Sequence, residues 1–214
     1  MMPNATSSSA WRLYVIVDRA CAGSRDLAEI VAAAVRGGAD AIQLRDKSGA
    51  TQRLRDDAAR LLRITRPAGV PLIINDRADV AGAVDADGVH LGQEDLPLAE
   101  ARALLKPGRL IGKSTHSLEQ ALAAEAEGAD YIGVGPIFAT PTKPDYPSVG
   151  LGLIGQIRAK AQVPAVCIGG IDAANLDAVR HAGARCVAVV RAVCAAADPE
   201  AATRILKKGI ISVS

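Results

Sequence analysis

Eight short β-branched runs separated by stretches of helical spacing leave few folds open to this chain. The runs are LYVIVD (13–18), AIQLRD (41–46), PLIIND (71–76), GVHLGQ (88–93), LIGKST (110–115), YIGVGPI (131–137), AVCIGGI (165–171) and CVAVVRA (186–192). Between several of them lie Ala- and Leu-rich segments at 26–38, 52–64, 117–128 and 173–183. In the first of these, Leu27, Ile30, Val31 and Ala34 repeat at helical spacing and glycines mark the exit. Unbroken alternation of strand and helix predicts βαβ units and a parallel sheet. An internal echo agrees: GGADAIQL, DADGVHL, EGADYIGV and AGARCVAV each run from a helix exit through a small residue into a strand. Eight units in about 200 residues predict an α/β fold of the (β/α)8 TIM-barrel type, with an open doubly wound sheet as the alternative. No Pro/Ser/Gly-rich linker interrupts the pattern, so 11–214 is expected to be one domain and MMPNATSSSA (1–10) a disordered tail.

Composition excludes several functions. Half of the residues are hydrophobic, enough for a large core, and the net charge is only +2. That balance gives no electrostatic reason for a nucleic-acid or membrane partner. Aromatics make up 2%, too few for base-stacking platforms. No apolar run reaches spanning length, and the N-terminus lacks the pattern of a signal peptide. Cys21, Cys167, Cys186 and Cys194 show no CxxC spacing, and Cys167 and Cys186 fall inside strand runs as buried thiols. A reducing cytoplasm is the expected location, and a homo-oligomer is compatible with the sequence.

The strand ends carry the chemistry. In QLRDK (43–47), Gln43, Arg45 and Lys47 occupy alternate positions and so share a face. Asn75 and Asp76 end the third run, and Gln93, Glu94 and Asp95 follow the fourth. Ser114, Thr115 and His116 close the fifth, while Thr140, Thr142 and Lys143 follow the sixth. Each group has a bland reading: Arg45 and Lys47 as a solvated strand end, Asp76 and Asp95 as caps or turn residues. His116 alone reads as packing at a helix start, His90 as structural and His181 as solvent-facing. The joint arrangement argues otherwise, because barrels gather strand C-termini on one rim. Carboxylates and cations together there fit a metal–diphosphate complex, with Asp76 and Asp95 facing a divalent ion and Arg45, Lys47 and Lys143 the remaining negative charge. In CIGGID, Gly169 and Gly170 let backbone approach a ligand and Asp172 is expected to cap a helix, so a second phosphate site is expected near them and after Val190.

QLRDK, IIND, GVHLGQED, the Ser and His of KSTH, VGPIFATPTK and IGGI occur in an order and spacing that resemble the thiamine phosphate synthase family, over about residues 11–205. The resemblance implies a (β/α)8 barrel that joins a pyrimidine methyl diphosphate to a thiazole phosphate and releases diphosphate. It places the pyrimidine-diphosphate contacts on Gln43, Leu44, Arg45, Asp46, Lys47, Asn75, Ser114 and Lys143. It places Mg2+ on Asp76 and Asp95, and the thiazole phosphate on Thr140, Pro141, Thr142, Gly170, Val190 and Arg191. Lys143, Ser114 and Arg45 are the expected catalytic groups, acting on charge that builds on the leaving diphosphate. Three positions depart from the family pattern: Pro141 stands where many relatives are polar, Arg191 where Ser is common, and Lys113 where relatives are apolar. By alternation, Lys113 should face away from the site. Other readings are a thiazole tautomerase-like isomerase using His116, a sugar-phosphate isomerase or epimerase, and a non-catalytic binder of thiamine precursors. The first needs no diphosphate clamp, the second leaves the Asp76–Asp95 cluster unexplained, and the third shares the contacts but has little use for a metal pair.

Overall fold

In the computed structural model, which describes residues 8–48, 50–140 and 147–212, the eight runs become eight parallel strands. They are β1 (Leu13–Asp18), β2 (Ala41–Arg45), β3 (Leu72–Asn75), β4 (Gly88–Leu91), β5 (Leu110–Thr115), β6 (Tyr131–Val134), β7 (Ala165–Ile168) and β8 (Cys186–Val189). Each pairs with its neighbours in sequence, and β1 pairs with β8, so the sheet closes. The open-sheet alternative is thereby overturned. Helices fill the connections: α1 (Arg19–Ala22), α2 (Leu27–Gly37), α3 (Thr51–Thr65), α4 (Ala78–Ala83) and α5 (Leu98–Leu104) in the first half. The second half holds α6 (Leu118–Ala126), α7 (Gly152–Lys160), α8 (Leu176–His181), α9 (Arg191–Cys194) and α10 (Pro199–Ile211).

Side-chain alternation divides the core in two. One set of strand residues, with Leu13, Val15, Ile42, Leu44, Ile74, Val89, Ile132 and Val187 among them, packs outward against the helices. The α2 positions Leu27, Ile30, Val31 and Ala34 meet them there, each buried. Fully burying one such Leu or Ile is worth about 1.5–3 kcal/mol. The second set points into the barrel: Trp11, Tyr14, Ile16, Ala41, Ile73, Tyr131, Val166, Cys186 and Ala188. Trp11, Tyr14 and Tyr131 lie with ring centroids 5.3–6.0 Å apart and plug the interior. Three of the chain's five aromatic residues are thus spent on one floor.

The internal echo has a structural cause at the opposite end from the strand C-termini. Asp40, one residue before β2, accepts from the β1 Leu13 amide at 2.9 Å, while its own N–H donates to the Leu13 carbonyl at 2.9 Å. Asp87 makes the same reciprocal clamp on Leu72 of β3, at 2.9 and 3.0 Å. Asp130 closes the third clamp, accepting from Ile111 at 2.7 Å and donating to its carbonyl at 2.8 Å. Each clamping carboxylate also meets a cation: Lys207, Arg109 and Arg102 respectively. In the fourth copy of the echo, Arg185 stands at the aspartate's position.

Boundaries shift where the chain leaves the sheet early. The run at 131–137 ends as a strand at Val134, because Gly135 and Pro136 turn toward β7 through a cis peptide bond. Ser8–Ala10, expected within a disordered tail, form a 3-10 turn, and residues 1–7 of that expectation lie outside the described residues. Ser8 is buried there and its hydroxyl donates to the Asp130 carbonyl at 3.1 Å.

Candidate active site

A cavity of about 430 Å3 opens at the C-terminal ends of the strands. Gln43, Arg45, Asn75, Ser114, Thr140, Gly170, Val190 and Arg191 all line it, as do His90 and His116. These expected contacts come from six different strand ends or following loops, so the fold gathers what the sequence scatters. Pro141, Thr142 and Lys143 lie outside the described residues.

Strand parity explains the first wall. Gln43 and Arg45 share the inward face of β2, whereas Leu44 points outward into the helix–sheet core and is fully buried. The side chain of Leu44 is therefore not a ligand contact, contrary to the expectation. Asp46 also turns away from the cavity: it accepts from the Ser48 amide at 2.8 Å and from Arg53 Nη2 at 3.0 Å. Burial pushes Asp46 up, but the bonds from Ser48 and Arg53 outweigh it and hold the group below the usual carboxylate range. Its work is to fix the β2–α3 loop. Arg45 reaches the cavity with one arm committed, since its Nη1 pairs with the buried Asp18 carboxylate. Asp18 also accepts from the Cys21 amide at 3.0 Å and so caps α1.

The carboxylates lie just beyond β3 and β4. Asp76 Oδ2 meets Lys47 Nζ at 2.5 Å, and Asp76 and Asp95 are close enough to act on each other's charge. Asp76 takes the left-handed backbone conformation at φ 62°, which is uncommon for a residue other than glycine. Burial raises the Asp76 carboxyl above its ordinary range and the adjacent Asp95 adds to the rise, against the lowering pull of Lys47. Asp95 is set by its turn: Oδ2 accepts from the Gly92 amide at 2.6 Å. The turn reading of Asp95 therefore holds. Asp76 does not cap α4, whose N-cap position is held by Arg77 without a side-chain bond. Lys113 faces out of the barrel as alternation predicts, and its ammonium donates to the Gly92 carbonyl at 2.8 Å. The turn carrying Asp95 is thus pinned at both backbone polar groups of one residue, Gly92. Gln93 adds a bond to the Ser114 carbonyl at 2.5 Å.

The second wall follows β7 and β8. Gly169 and Gly170 have φ of 104° and 63°, values disfavoured for any residue with a Cβ. A Cβ on Gly169 would also meet Pro136 Cα at 2.5 Å, and one on Gly170 would meet the Ala139 carbonyl oxygen at 2.9 Å. Backbone here is packed against the β6 loop too closely for side chains. Asp172 caps the turn before α8, accepting from Ala174 at 2.9 Å, and does not cap the helix itself, which begins at Leu176.

Side-chain pattern alone missed one set of polar groups. His90, expected to be structural, points inward and lines the cavity. Its Nδ1 lies 3.1 Å from the Tyr131 hydroxyl and its Nε2 3.0 Å from Ser114 Oγ. The Tyr131 and Tyr14 hydroxyls are 3.1 Å apart, and Gln43 Nε2 donates to Tyr14 at 3.0 Å. Burial pushes both phenols up, so they stay protonated. The available signal was parity: His90 and Tyr131 fall in phase with the inward Gly88 and Gly133 of their own strands. His116 donates from Nδ1 to the Gly135 carbonyl at 2.5 Å while also reaching the cavity. His181 lies on the exposed face of α8, bonded to the Asp177 carbonyl.

Comparison with known proteins gives a consistent result. Residues 13–193 match the sequence profile described as thiamine monophosphate synthase. The chain is 50% identical over 205 residues to the thiamine-phosphate synthase of Chloroflexus aurantiacus, covering 95% of this chain and 94% of that one. It is 51% identical over 195 residues to the enzyme so named in Roseiflexus castenholzii, covering 91% and 86%. Among solved structures, a thiamine phosphate pyrophosphorylase from Pyrococcus furiosus superposes with a TM-score of 0.87 at 40% identity, covering 96% of this chain and 98% of that one.

Proposed function

The chain belongs to the thiamine monophosphate synthase family, and we propose that it joins a 4-amino-2-methylpyrimidine methyl diphosphate to a thiazole phosphate, releasing diphosphate. The observation that carries this reading is the Asp76–Asp95 pair beside Lys47, next to a cavity walled by Gln43, Arg45, Asn75 and Ser114. Two carboxylates held together in a half-buried place repel, and one exposed lysine balances only part of their charge. The donor set fits a hard divalent cation. Among the described residues no group of three or more metal-ligating side chains exists, so substrate oxygens and water would complete the shell. Mg2+ held by Asp76 and Asp95 would supply Lewis-acid stabilisation of charge on the leaving diphosphate.

The protein's own groups do the rest. Gln43 and Asn75 orient the pyrimidine ring on the β2–β3 wall. The C–O bond to diphosphate breaks with its electron pair leaving on oxygen, and the thiazole nitrogen then forms the new bond to the exposed methylene carbon. The Ser114 hydroxyl, the free N–H groups of Arg45 and the Lys47 ammonium donate to the departing oxygens. Lys143 joins them on the strength of the family pattern. The thiazole phosphate binds at the opposite wall, formed by Thr140, Pro141, Thr142, Gly170, Val190 and Arg191. Its remote phosphate holds the ring over the reacting carbon. No side-chain nucleophile is needed. The rival isomerase reading requires no diphosphate release, so measuring that release from the pyrimidine substrate separates the two.

The soluble, reducing interior of the cell is the proposed location. Among the described residues no helix is long and apolar enough to cross a membrane, and all four cysteines are free thiols. The direct test is Asp95→Ala with both precursors and Mg2+: turnover to thiamine phosphate should fall by at least about a hundredfold. Wild-type turnover in that variant would remove the metal role.

A further inference from the structure

Five polar side chains cross the barrel interior in one line: Gln43 from β2, Tyr14 from β1, Tyr131 from β6, His90 from β4 and Ser114 from β5. Consecutive members are 3.0, 3.1, 3.1 and 3.0 Å apart. All five border the cavity, and Gln43, Tyr14 and Tyr131 are each 2% exposed or less, so little solvent reaches the line. Resting on the functional reading above, we infer that this line is a directional hydrogen-bonded chain that couples recognition of the pyrimidine's ring amino group at Gln43 to the donor that Ser114 offers the diphosphate.

Proton count fixes how such a line can be directed. Each phenol carries one hydrogen, and burial keeps both phenols protonated, so each donates one way and accepts from the other. A neutral imidazole likewise has one N–H and one bare nitrogen. With His90 neutral and each phenol hydrogen spent within the line, so that none is buried without an acceptor, the four links run in only two ways. In the first, Gln43 Nε2 donates to Tyr14, Tyr14 to Tyr131, Tyr131 to His90 Nδ1, and His90 Nε2–H to Ser114 Oγ. The Ser114 proton is then free for the cavity, and Gln43 Oε1 is the atom presented to a ligand. In the second, Ser114 donates to His90 and every link reverses. Ser114 then offers only lone pairs, and Gln43 turns its NH2 to the ligand. Among the described residues no protein group bonds Gln43 Oε1.

A diphosphate beside Ser114 decides between them. Its oxygens accept hydrogen bonds, so they favour the direction that leaves the Ser114 proton free and penalise the one that presents lone pairs. That same direction aims an acceptor at the pyrimidine, which suits an exocyclic amino group and repels a ring carbonyl. The two ends of the substrate thus select one state of one chain. Tyr14, Tyr131 and His90 act as positioning residues, through Gln43 and Ser114. The structure makes room for them deliberately: a Cβ on Gly112 would meet Tyr131 Cζ at 2.2 Å and His90 Nδ1 at 2.4 Å.

The first test uses the unaltered full-length protein. Histidine-15N spectra with the pyrimidine diphosphate bound should show His90 protonated at Nε2 and bare at Nδ1, its signal assigned by loss in His90→Gln. The opposite tautomer, or an imidazolium, overturns the coupling. The second test measures, by calorimetry, binding of the 4-amino pyrimidine diphosphate and of its 4-oxo analogue. The unaltered protein should prefer the amino ring by at least about tenfold, and Tyr131→Phe and Tyr14→Phe should each narrow that preference to within about threefold. Two variants are used so that either can stand if the other fails to fold. A purely structural role would lower stability and leave the ratio unchanged, and an unchanged ratio in a folded variant overturns the inference. If the unaltered protein binds neither ring, the functional reading fails and the coupling falls with it. Amino-ring binding with the reversed tautomer sinks the coupling alone.

Discussion

Replacing Arg45 with Met should cost the ligand-free protein about 3 kcal/mol before any question of catalysis arises. The side chains of Arg45 and Asp18 are 16% and 5% exposed, and the guanidinium is the partner cation of that carboxylate. Removing one member of a buried ion pair typically costs about 3–5 kcal/mol, because the remaining charge is left uncompensated. The lower end applies here, since Asp18 keeps the Cys21 amide as a donor. For a domain of this size, that loss corresponds to a fall in Tm of roughly 6–12 °C. Adding Asp18→Asn to Arg45→Met removes the stranded charge and should return stability to within about 1 kcal/mol of the parent. Urea unfolding at pH 7 without ligand, run on the parent, both single variants and the double, gives the cycle directly. A loss below about 1 kcal/mol in Arg45→Met would refute the reasoning, as would a double variant no more stable than the single one. The double variant should stay inactive, which separates Arg45's part in the fold from its part in the chemistry.

Other expectations follow from the same site. Asp76 has a folded-state pKa above its unfolded value, so across that window the folded chain binds more protons and stability falls as pH rises; above it the ionised group is a standing cost. Asp76→Asn should therefore stabilise the metal-free protein at pH 7 while abolishing turnover, and an Asn variant less stable than the parent in urea would contradict this. Lys113→Met frees the Gly92 carbonyl and should raise the Mg2+ concentration for half-maximal rate several-fold, with little change in rate at saturation; an unchanged Mg2+ titration would refute it. Gly112→Ala forces a methyl group into the Tyr131 ring and should cost about 1–3 kcal/mol in chemical unfolding, which a neutral result would disprove.

Much of this was legible before any coordinates, because period-two and period-3.6 patterns are local. Strand β1 and strand β5 fall on the residues that their β-branched runs mark. The inward face of Gln43 and Arg45 and the outward face of Lys113 follow from alternation alone. Alternation fails for Lys47, which lies in the turn after β2 and reaches Asp76 by its own flexible stem. The partners of Asp46 are not legible from the motif, because adjacency says nothing about which neighbour a side chain will choose; Ser48 and Arg53, two and seven residues on, claim it. Helices α4, α5 and α7 are short or weakly amphipathic and left little periodic signal. The Gln43-to-Ser114 line could not be read at all. It depends on the relative register of five strands, which is a property of the closed ring rather than of any segment.

The three aspartate clamps also say where this barrel can be cut. Each joins an odd-numbered strand to the even-numbered one that follows, so the connection after Thr65 and the one after Leu104 lie between clamped couples. A chain opened at either place keeps every clamp whole within a fragment, and the halves need only restore sheet edges when mixed. A cut inside a couple separates a carboxylate from the amide it holds. With Arg185 in the fourth position, the last two strands have no such internal tie and depend on their neighbours to stay in register. Builders of split or permuted versions of this scaffold would do well to leave that final couple flanked on both sides.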